Sequence, residues 1–452
     1  MRANAVRPSI RKQRHDVAGI DVGAAEHWVC VDPSLSEQPI RAFPAFTADL
    51  LELVAWLVDS GVRSVAMEAT GVYWGELYTR LREAGLEVIL ADPRKTRNPR
   101  GRKTDMQDCQ WIWELHAHGL LDGGFVPEPD VQRLRAYLRI RTARVDANRA
   151  VLQEMQRALS LMNIKLQHVI SDIGGETGMA IIRAILAGER NPETLASLRN
   201  YRCRSDVQVI AKALHGTWRA EHLFLLQQAY GDYEHHNQAI AACDAEIAAL
   251  IASIPEQGDP DADLPPKRPS GKNDFGFDAQ RAAYCLSGVD LTSIDGVGPN
   301  TALSFIGEVG WDLSAWTTSR AFCCWLGLCP NPKRSGGKKL GNLPSSANKA
   351  AKILRHAAMG LANHRGAMGA FFRKKAATKG RGQAVKAVAH KLARVIYALF
   401  RDKSRFCAEK LEVNPSARSL KRRKAHLAKL AEKLGFQLTP LQDMNNTGVA
   451  SC

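Results

Sequence analysis

Two stretches repeat their apolar residues at intervals of three and four over many turns, and they set the frame for everything else in the chain. The first carries Leu134, Leu138, Val145, Leu152, Met155, Leu159, Met162 and Leu166; the second carries Leu226, Tyr230, Tyr233, Ile240, Ile247 and Ile251. Such spacing predicts two long helices with heptad-like seams, hence an antiparallel coiled coil or a dimerisation arm, with residues 170–220 as a helical cap between them. Arg141, Asn148, Asn237 and Asp244 fall on the seams, where polar residues cost stability and set register. The coiled-coil and helical region is thus placed at 126–254.

The segment before it has a different rhythm. VAGID (17–21), HWVCVD (27–32), SVAME (64–68) and VILAD (88–92) read as short strands. Between them, Leu50, Leu51, Val54, Leu57 and Val58 mark one helix, and GELYTRLREAG (75–85) a second that ends at Gly85. A basic loop, RKTRNPRGRK (94–103), precedes a further helix from about Thr104 to His118. Alternation of this kind argues for an α/β domain over 15–125, behind a basic arm at 1–14.

After the long helices, PEQGDPDADLPPKRPSGKNDFG has the composition of a flexible linker or insertion, placed at 255–285. A helical domain follows at 286–400. It contains GVGPNTALSFIGEVG, then AFCCWLGLCP, a basic Gly/Ser-rich loop, and two amphipathic helices, KAAKILRHAAMGLA and AVKAVAHKLARVIYALF. Residues 401–452 form a tail with ten Lys and Arg against three acids in 401–430, including KRRK at 421–424.

The charge narrows the function. Sixty-two Lys and Arg against 46 Asp and Glu give a net +16. That excess favours a polyanionic partner, because neutralising phosphates releases condensed counterions. No apolar run is long enough to span a bilayer, and the basic N-terminus has no apolar stretch behind it, so neither membrane nor export is expected. The ten cysteines form no CxxC pair. Cys323, Cys324 and Cys329 sit in an apolar segment and read as core, not zinc ligands, with reduced thiols in a cytoplasm.

Four acids stand out by position. Asp21 ends one strand, with Gly23 beyond it, and Glu68 ends another. Asp105 and Asp108 lie three apart at the start of a helix, so they share a face. If these elements adjoin, four carboxylates converge, and converging acids need a cation. Magnesium (or manganese) accepts oxygen ligands and keeps positions open for phosphate, and two such ions stabilise attacking and leaving oxygens in phosphodiester chemistry. Taken singly, each acid has an ordinary structural explanation: Asp105 suits the first turn of a helix, and Glu68 the rim of a sheet. Farther along, Gly296 and Gly298 permit a tight turn that exposes amides at a helix start, a phosphate site or a plain connection between helices.

The order strand-end Asp, strand-end Glu, helix Asp-x-x-Asp resembles the RuvC-like branch of the ribonuclease H fold. GIDVG, MEATGVYW and KTDMQD resemble one family more closely, the DEDD transposases of insertion sequences. The resemblance covers about 15–125 and 286–362. It maps the family's metal-binding acids to Asp21, Glu68, Asp105 and Asp108. Thr70, Gly71, Tyr73 and Trp74 match the motif after the Glu, where a tight turn and core aromatics are the expected role of Tyr73 and Trp74. LTSIDGVGPNTALSFIGEVG is similar to the family's helix-hairpin-helix-like segment.

In GLCPNPKRSGGKKLGN, the family's nucleophilic serine maps to Ser335, before Gly336, with Ser345 and Ser346 as rivals because SSANKAAK departs from the family's wording. The resemblance implies a fold of an N-terminal RuvC-like domain, a coiled coil and a C-terminal helical serine domain. It also implies a bacterial, nucleoid-associated recombinase that acts on donor and target DNA. A structured bridge RNA would guide it, and it would assemble as a dimer of dimers. Nucleic-acid contacts are then expected at Arg94, Lys95, Arg97, Arg100, Arg102, Lys103, Gly296, Gly298, Lys333, Arg334, Gly336, Lys338 and Lys339. Two alternatives stay open: a hydrolytic junction resolvase, and a non-catalytic nucleic-acid-binding protein.

Overall fold

The computed structural model describes residues 14–96, 104–266, 271–330, 332–336, 338–342, 348–407, 425 and 427–436. The chain divides into two compact units, 1–127 and 128–452.

The first unit is built on a five-stranded mixed sheet in the order β3-β2-β1-β4-β5. Its strands are β1 (Val17–Val22), β2 (Glu26–Val31), β3 (Ile40–Pro44), β4 (Ser64–Glu68) and β5 (Glu87–Ala91). β1, β2 and β3 are antiparallel neighbours, and β4 and β5 run parallel to β1. Gly23 closes the β1–β2 hairpin by donating its N–H to the Glu26 carbonyl at 3.1 Å. One face of the sheet packs on α1 (Thr47–Asp59) and α2 (Trp74–Glu83) through Ile20, Val65, Met67, Leu53, Leu57 and Leu77. α1 buries Leu50, Leu53, Val54 and Leu57, whereas Leu51 and Val58, expected on the same stripe, are exposed. A short turn of helix, α3 (Pro93–Thr96), follows β5: Pro93 opens a helix as well as ending the strand, since its fixed φ suits a first helical position.

The other face is covered by α4 (Asp105–Ala117), capped by the Thr104 side chain, which accepts from the Gln107 N–H. This helix touches the sheet backbone to backbone. A Cβ built on Gly19 would lie 2.2 Å from the Trp113 nitrogen and 2.6 Å from the Cys109 carbonyl oxygen, so only glycine fits there. Val17, Cys30, Cys109, Trp113 and Ala117 form one small core under α4, and Ala66, Ala91 and Ile112 another.

The second unit opens with α5 (Pro129–Leu161), which lies along α9 (Ala220–Ser253). Arg141 meets Asp244, and Asn148, seven residues on, meets Asn237, seven residues back, so the two helices are antiparallel. The Arg141 guanidinium is bidentate to Asp244, with Nε to Oδ1 at 2.5 Å and Nη2 to Oδ2 at 3.2 Å. The same guanidinium donates to the carbonyls of Asn273 and Asp274 and stacks 4.0 Å from the Phe275 ring. The Gly276 N–H donates to Asp244. Residues 273–276, whose composition suggested a free linker, are therefore docked on the helix pair by a buried ion pair, and α10 (Ala279–Ser287) begins inside the expected 255–285 segment.

Between α5 and α9, α6 (Glu176–Leu186), α7 (Pro192–Ser197) and α8 (Val207–Leu214) enclose a core of Met155, Leu159, Ile182, Leu195, Ile210 and Leu226. The remaining helices are α11 (Pro299–Val309), α12 (Ser319–Trp325), α13 (Lys349–Gly360), α14 (Ala367–Lys379) and α15 (Arg381–Asp402), with a hairpin of β6 (Pro332–Ser335) and β7 (Lys338–Asn342) after α12. α11 is bound to α5 as well as to its own neighbours: Arg139 is bidentate to Glu308, and Arg135 donates to the Gly307 and Glu308 carbonyls. No helix of the described residues is long and apolar enough to cross a membrane.

Candidate active site

Alternation along β1 and β4 decides where the first two acids lie. Ile20 and Met67 face the α1/α2 core, so their neighbours Asp21 and Glu68 belong to the α4 face. The strands are parallel with Ile20 opposite Met67, which brings Asp21 and Glu68 level at the carboxyl ends of adjacent strands.

The direction of α4 supplies the other two. Near the start of β4, the Ser64 hydroxyl lies 2.9 Å from the His116 Nε2 at the far end of α4. Mid-strand, Gly19 meets Cys109 and Trp113. α4 therefore runs back along β1, and its first turn, with Asp105 and Asp108, lies toward the strand ends that carry Asp21 and Glu68. Cys109, one residue after Asp108, carries the electrostatic trace of this arrangement. The adjacent Cys30 thiol, burial and the Asp21 carboxylate hold the Cys109 thiol far above the ordinary thiol range, so it stays protonated.

Glu68 is half-buried and accepts a hydrogen bond from the buried Thr96 hydroxyl, 3.0 Å to Oε2. Thr96 thus orients the carboxylate from α3, a role that the basic surroundings of that residue concealed. Asp108 is half-buried and Asp105 is exposed. Among the described residues, no three His, Cys, Asp or Glu side chains are grouped as a ready-made metal site. The four acids share one end of the sheet and offer only oxygen donors, the set that a hard divalent cation takes.

The motif after Glu68 corrects one expectation. Trp74 packs edge-on against Tyr78 beside the sheet core, as a core aromatic should. Tyr73 does not: it is 48% exposed, and Val72 before it is 84% exposed. The turn holding them projects from the carboxyl end of β4, the end that carries Glu68.

In the second unit, α10 and α11 pack together around the Gly296–Gly298 turn. Gly296 has φ +81°, and a Cβ there would lie 2.7 Å from Leu361, so the turn requires glycine twice over. Gly298 precedes α11 in open space, with Pro299 as the first helical residue. The basic Gly/Ser-rich loop is a two-stranded hairpin. Ser335 ends β6 opposite Lys338, Arg334 pairs with Lys339, Lys333 with Gly341, and Gly336 turns the chain at φ +54°. Cys323 is buried as expected, but Cys324 is exposed. Ser345 and Ser346, Arg97, Arg100, Arg102 and Lys103, the arm at 1–13 and KRRK at 421–424 lie outside the described residues; Arg94 and Lys95 are described as backbone of α3 only.

Comparison with known proteins bears on both units. The family of DEDD transposases of the IS110 type matches residues 18–164, and the transposase IS116/IS110/IS902 family matches residues 290–373. The chain belongs to the IS110-type DEDD transposases. It is 24% identical over 418 residues to an insertion element IS900 uncharacterized 42 kDa protein of Mycobacterium paratuberculosis, covering 85% of this chain and 95% of that protein. It is also 24% identical over 289 residues to a probable family 20 transposase of Pseudomonas aeruginosa, covering 62% of this chain and 65% of the relative. As an IS110-type transposase the protein is a DNA-binding enzyme that cuts and rejoins DNA. The mixed sheet of its first unit, three antiparallel strands followed by two parallel ones, is consistent with the ribonuclease H-like fold of that domain.

Proposed function

We propose that this transposase joins donor and target DNA through a serine–DNA phosphodiester formed by Ser335, with Asp21, Glu68, Asp105 and Asp108 as the metal-binding acids. The observation that carries the first half is the shared end of the sheet: Asp21 and Glu68 level on parallel neighbours, with the first turn of α4 running back to them. These four residues would hold magnesium or manganese, which when bound neutralises charge developing on the phosphate. Thr96 keeps the Glu68 carboxylate in place for that task.

The second half rests on the family's serine motif and on its setting. A hairpin end holds Ser335 between Arg334 and the turn, with Lys333, Lys338 and Lys339 on the same two strands. These cations draw the phosphate to the serine. The Ser335 Oγ attacks phosphorus, an Oγ–P bond forms, and the P–O bond to one deoxyribose breaks. The serine proton leaves to solvent, and the released sugar oxygen takes up a proton. In the second step a sugar hydroxyl of the other duplex attacks the same phosphorus, and Ser335 leaves and recovers its proton. Each step exchanges one phosphodiester for another, so no external energy source is needed.

Sequence choice is assigned to a structured RNA that pairs with both DNAs, leaving the protein to read shape and backbone. The acids and the serine belong to different compact units, which suits a dimer of dimers in which one copy's acids serve another's serine. The antiparallel pair α5/α9 would serve as the coiled coil that holds that assembly, and the nucleoid is where the protein would act.

The test uses the full-length protein co-purified with RNA from its own locus, labelled donor and target duplexes, and magnesium. Denaturing gels run with and without protease should show a slow, protease-sensitive DNA band that vanishes in Ser335→Ala and in Asp21→Ala. Cleaved DNA without that band, unaffected by Ser335→Ala, would instead establish hydrolysis by the acids alone.

A further inference from the structure

Between Asp312 and Asp402 the chain contains no Asp or Glu at all, and 18 Lys or Arg. That single stretch exceeds the net +16 of the whole protein. Apart from Arg401 beside Asp402, the cations of this stretch have no acid close by in sequence, and α14 and α15 show where three of them gather. The two helices form a hairpin about Gly380, with Phe371 half-buried between them. The Lys391 ammonium lies 4.9 Å from the Phe371 ring centroid, and the Lys375 ammonium 5.5 Å from it. Arg394 is one turn after Lys391 and is exposed.

Two ammonium groups on one ring, with a guanidinium alongside, repel one another. The ring quadrupole offsets only part of this. Burial and the Arg394 charge both push Lys391 below the ordinary lysine range, and burial followed by Arg394 does the same to His390, with no carboxylate acting on either. The groups facing the cluster from α14 and α15 are Lys375, His390 and Arg394, all cationic or neutral. An anion placed among these groups would offset their mutual repulsion.

We propose that Lys375, Lys391 and Arg394, none of them among the four acids or the residues of the serine hairpin, clasp one backbone phosphate of duplex DNA. Phe371 splays the two lysines and holds their ammonium groups at fixed height. Duplex DNA is the partner that fits, because DNA binding belongs to the transposase family, and a clasp of this kind reads no base.

The test is equilibrium binding of the full-length protein to fluorescent duplexes of several unrelated sequences, in EDTA, across a series of salt concentrations. EDTA separates this inference from the proposed chemistry, whose failure would leave binding intact. In Lys375→Gln/Lys391→Gln/Arg394→Gln, the slope of log K against log salt should become shallower by about 0.9, the contribution of one phosphate. The loss of affinity should be equal for every sequence. The charge-preserving set Lys375→Arg/Lys391→Arg/Arg394→Lys should restore the slope. If the triple variant is poorly folded, the exposed Arg394→Gln alone should still lower affinity on all duplexes. An unchanged slope in a folded triple variant overturns the clasp. So does a variant that binds duplex DNA normally but loses a structured RNA.

Discussion

Gly19→Ala is the sharpest probe of the α4–sheet contact that places the acids. The added methyl would lie 2.2 Å from the Trp113 nitrogen, 2.6 Å from its Cα and 2.6 Å from the Cys109 carbonyl oxygen. All three neighbours are backbone of one helix, so no side-chain rotation relieves the clash. Either α4 moves away from β1 or the strand bends. Overpacking of a well-filled core costs about 1–3 kcal/mol, and a clash with fixed backbone belongs at the top of that range. At roughly 2–4 °C per kcal/mol, the thermal transition of the first unit should fall by about 6–12 °C.

Activity should fall further than stability implies, because a helix pushed outward carries Asp105 and Asp108 away from Asp21. The assay pairs calorimetry with DNA cleavage measured well below the new transition. A variant with wild-type stability and wild-type cleavage would refute the close approach of α4 to β1, and with it the proposed role of Asp105 and Asp108 beside Asp21 and Glu68.

Two further outcomes follow from buried groups. Arg141→Met strands the Asp244 carboxylate and frees residues 273–276. It should destabilise the second unit by about 3–5 kcal/mol in urea unfolding, while Arg141→Met/Asp244→Leu recovers most of the loss. His116 is buried against Ser64, and burial with the nearby Arg14 charge holds its pKa below the ordinary 6.5. The unfolded chain therefore binds a proton that the folded unit resists. Stability should be full above about pH 6.5 and decline as the pH falls toward the lowered value, and urea titrations of His116→Gln should show a flatter acid slope.

Much of the candidate site's placement was legible because its parts are local. Strands β1 and β4 are short apolar runs that end on an acid, and Thr104 before Asp105 is a helix cap readable from residue type. What the sequence concealed depended on partners far along the chain. Thr96 looks like one more residue of a basic loop until the fold brings its hydroxyl to Glu68. β3 went unread because IRAFP buries only Phe43 and so has no alternating stripe. The hairpin at 332–342 has polar, basic strands with no hydrophobic period, leaving only its glycines as a signal of the turn. Residues 273–276 sit in linker-like composition, yet Phe275 is the anchor that Arg141 covers. Tyr73 resembles a core aromatic by type, but it follows the left-handed turn at Gly71 and is exposed.

The most direct measurement is mass spectrometry of the protein–DNA adduct after nuclease and protease digestion. The account predicts a nucleotide-modified peptide with the phosphate on Ser335, present in wild type and absent in Asp21→Ala. A modification on Ser345 or Ser346, or DNA cleavage with no modified peptide at all, would contradict it.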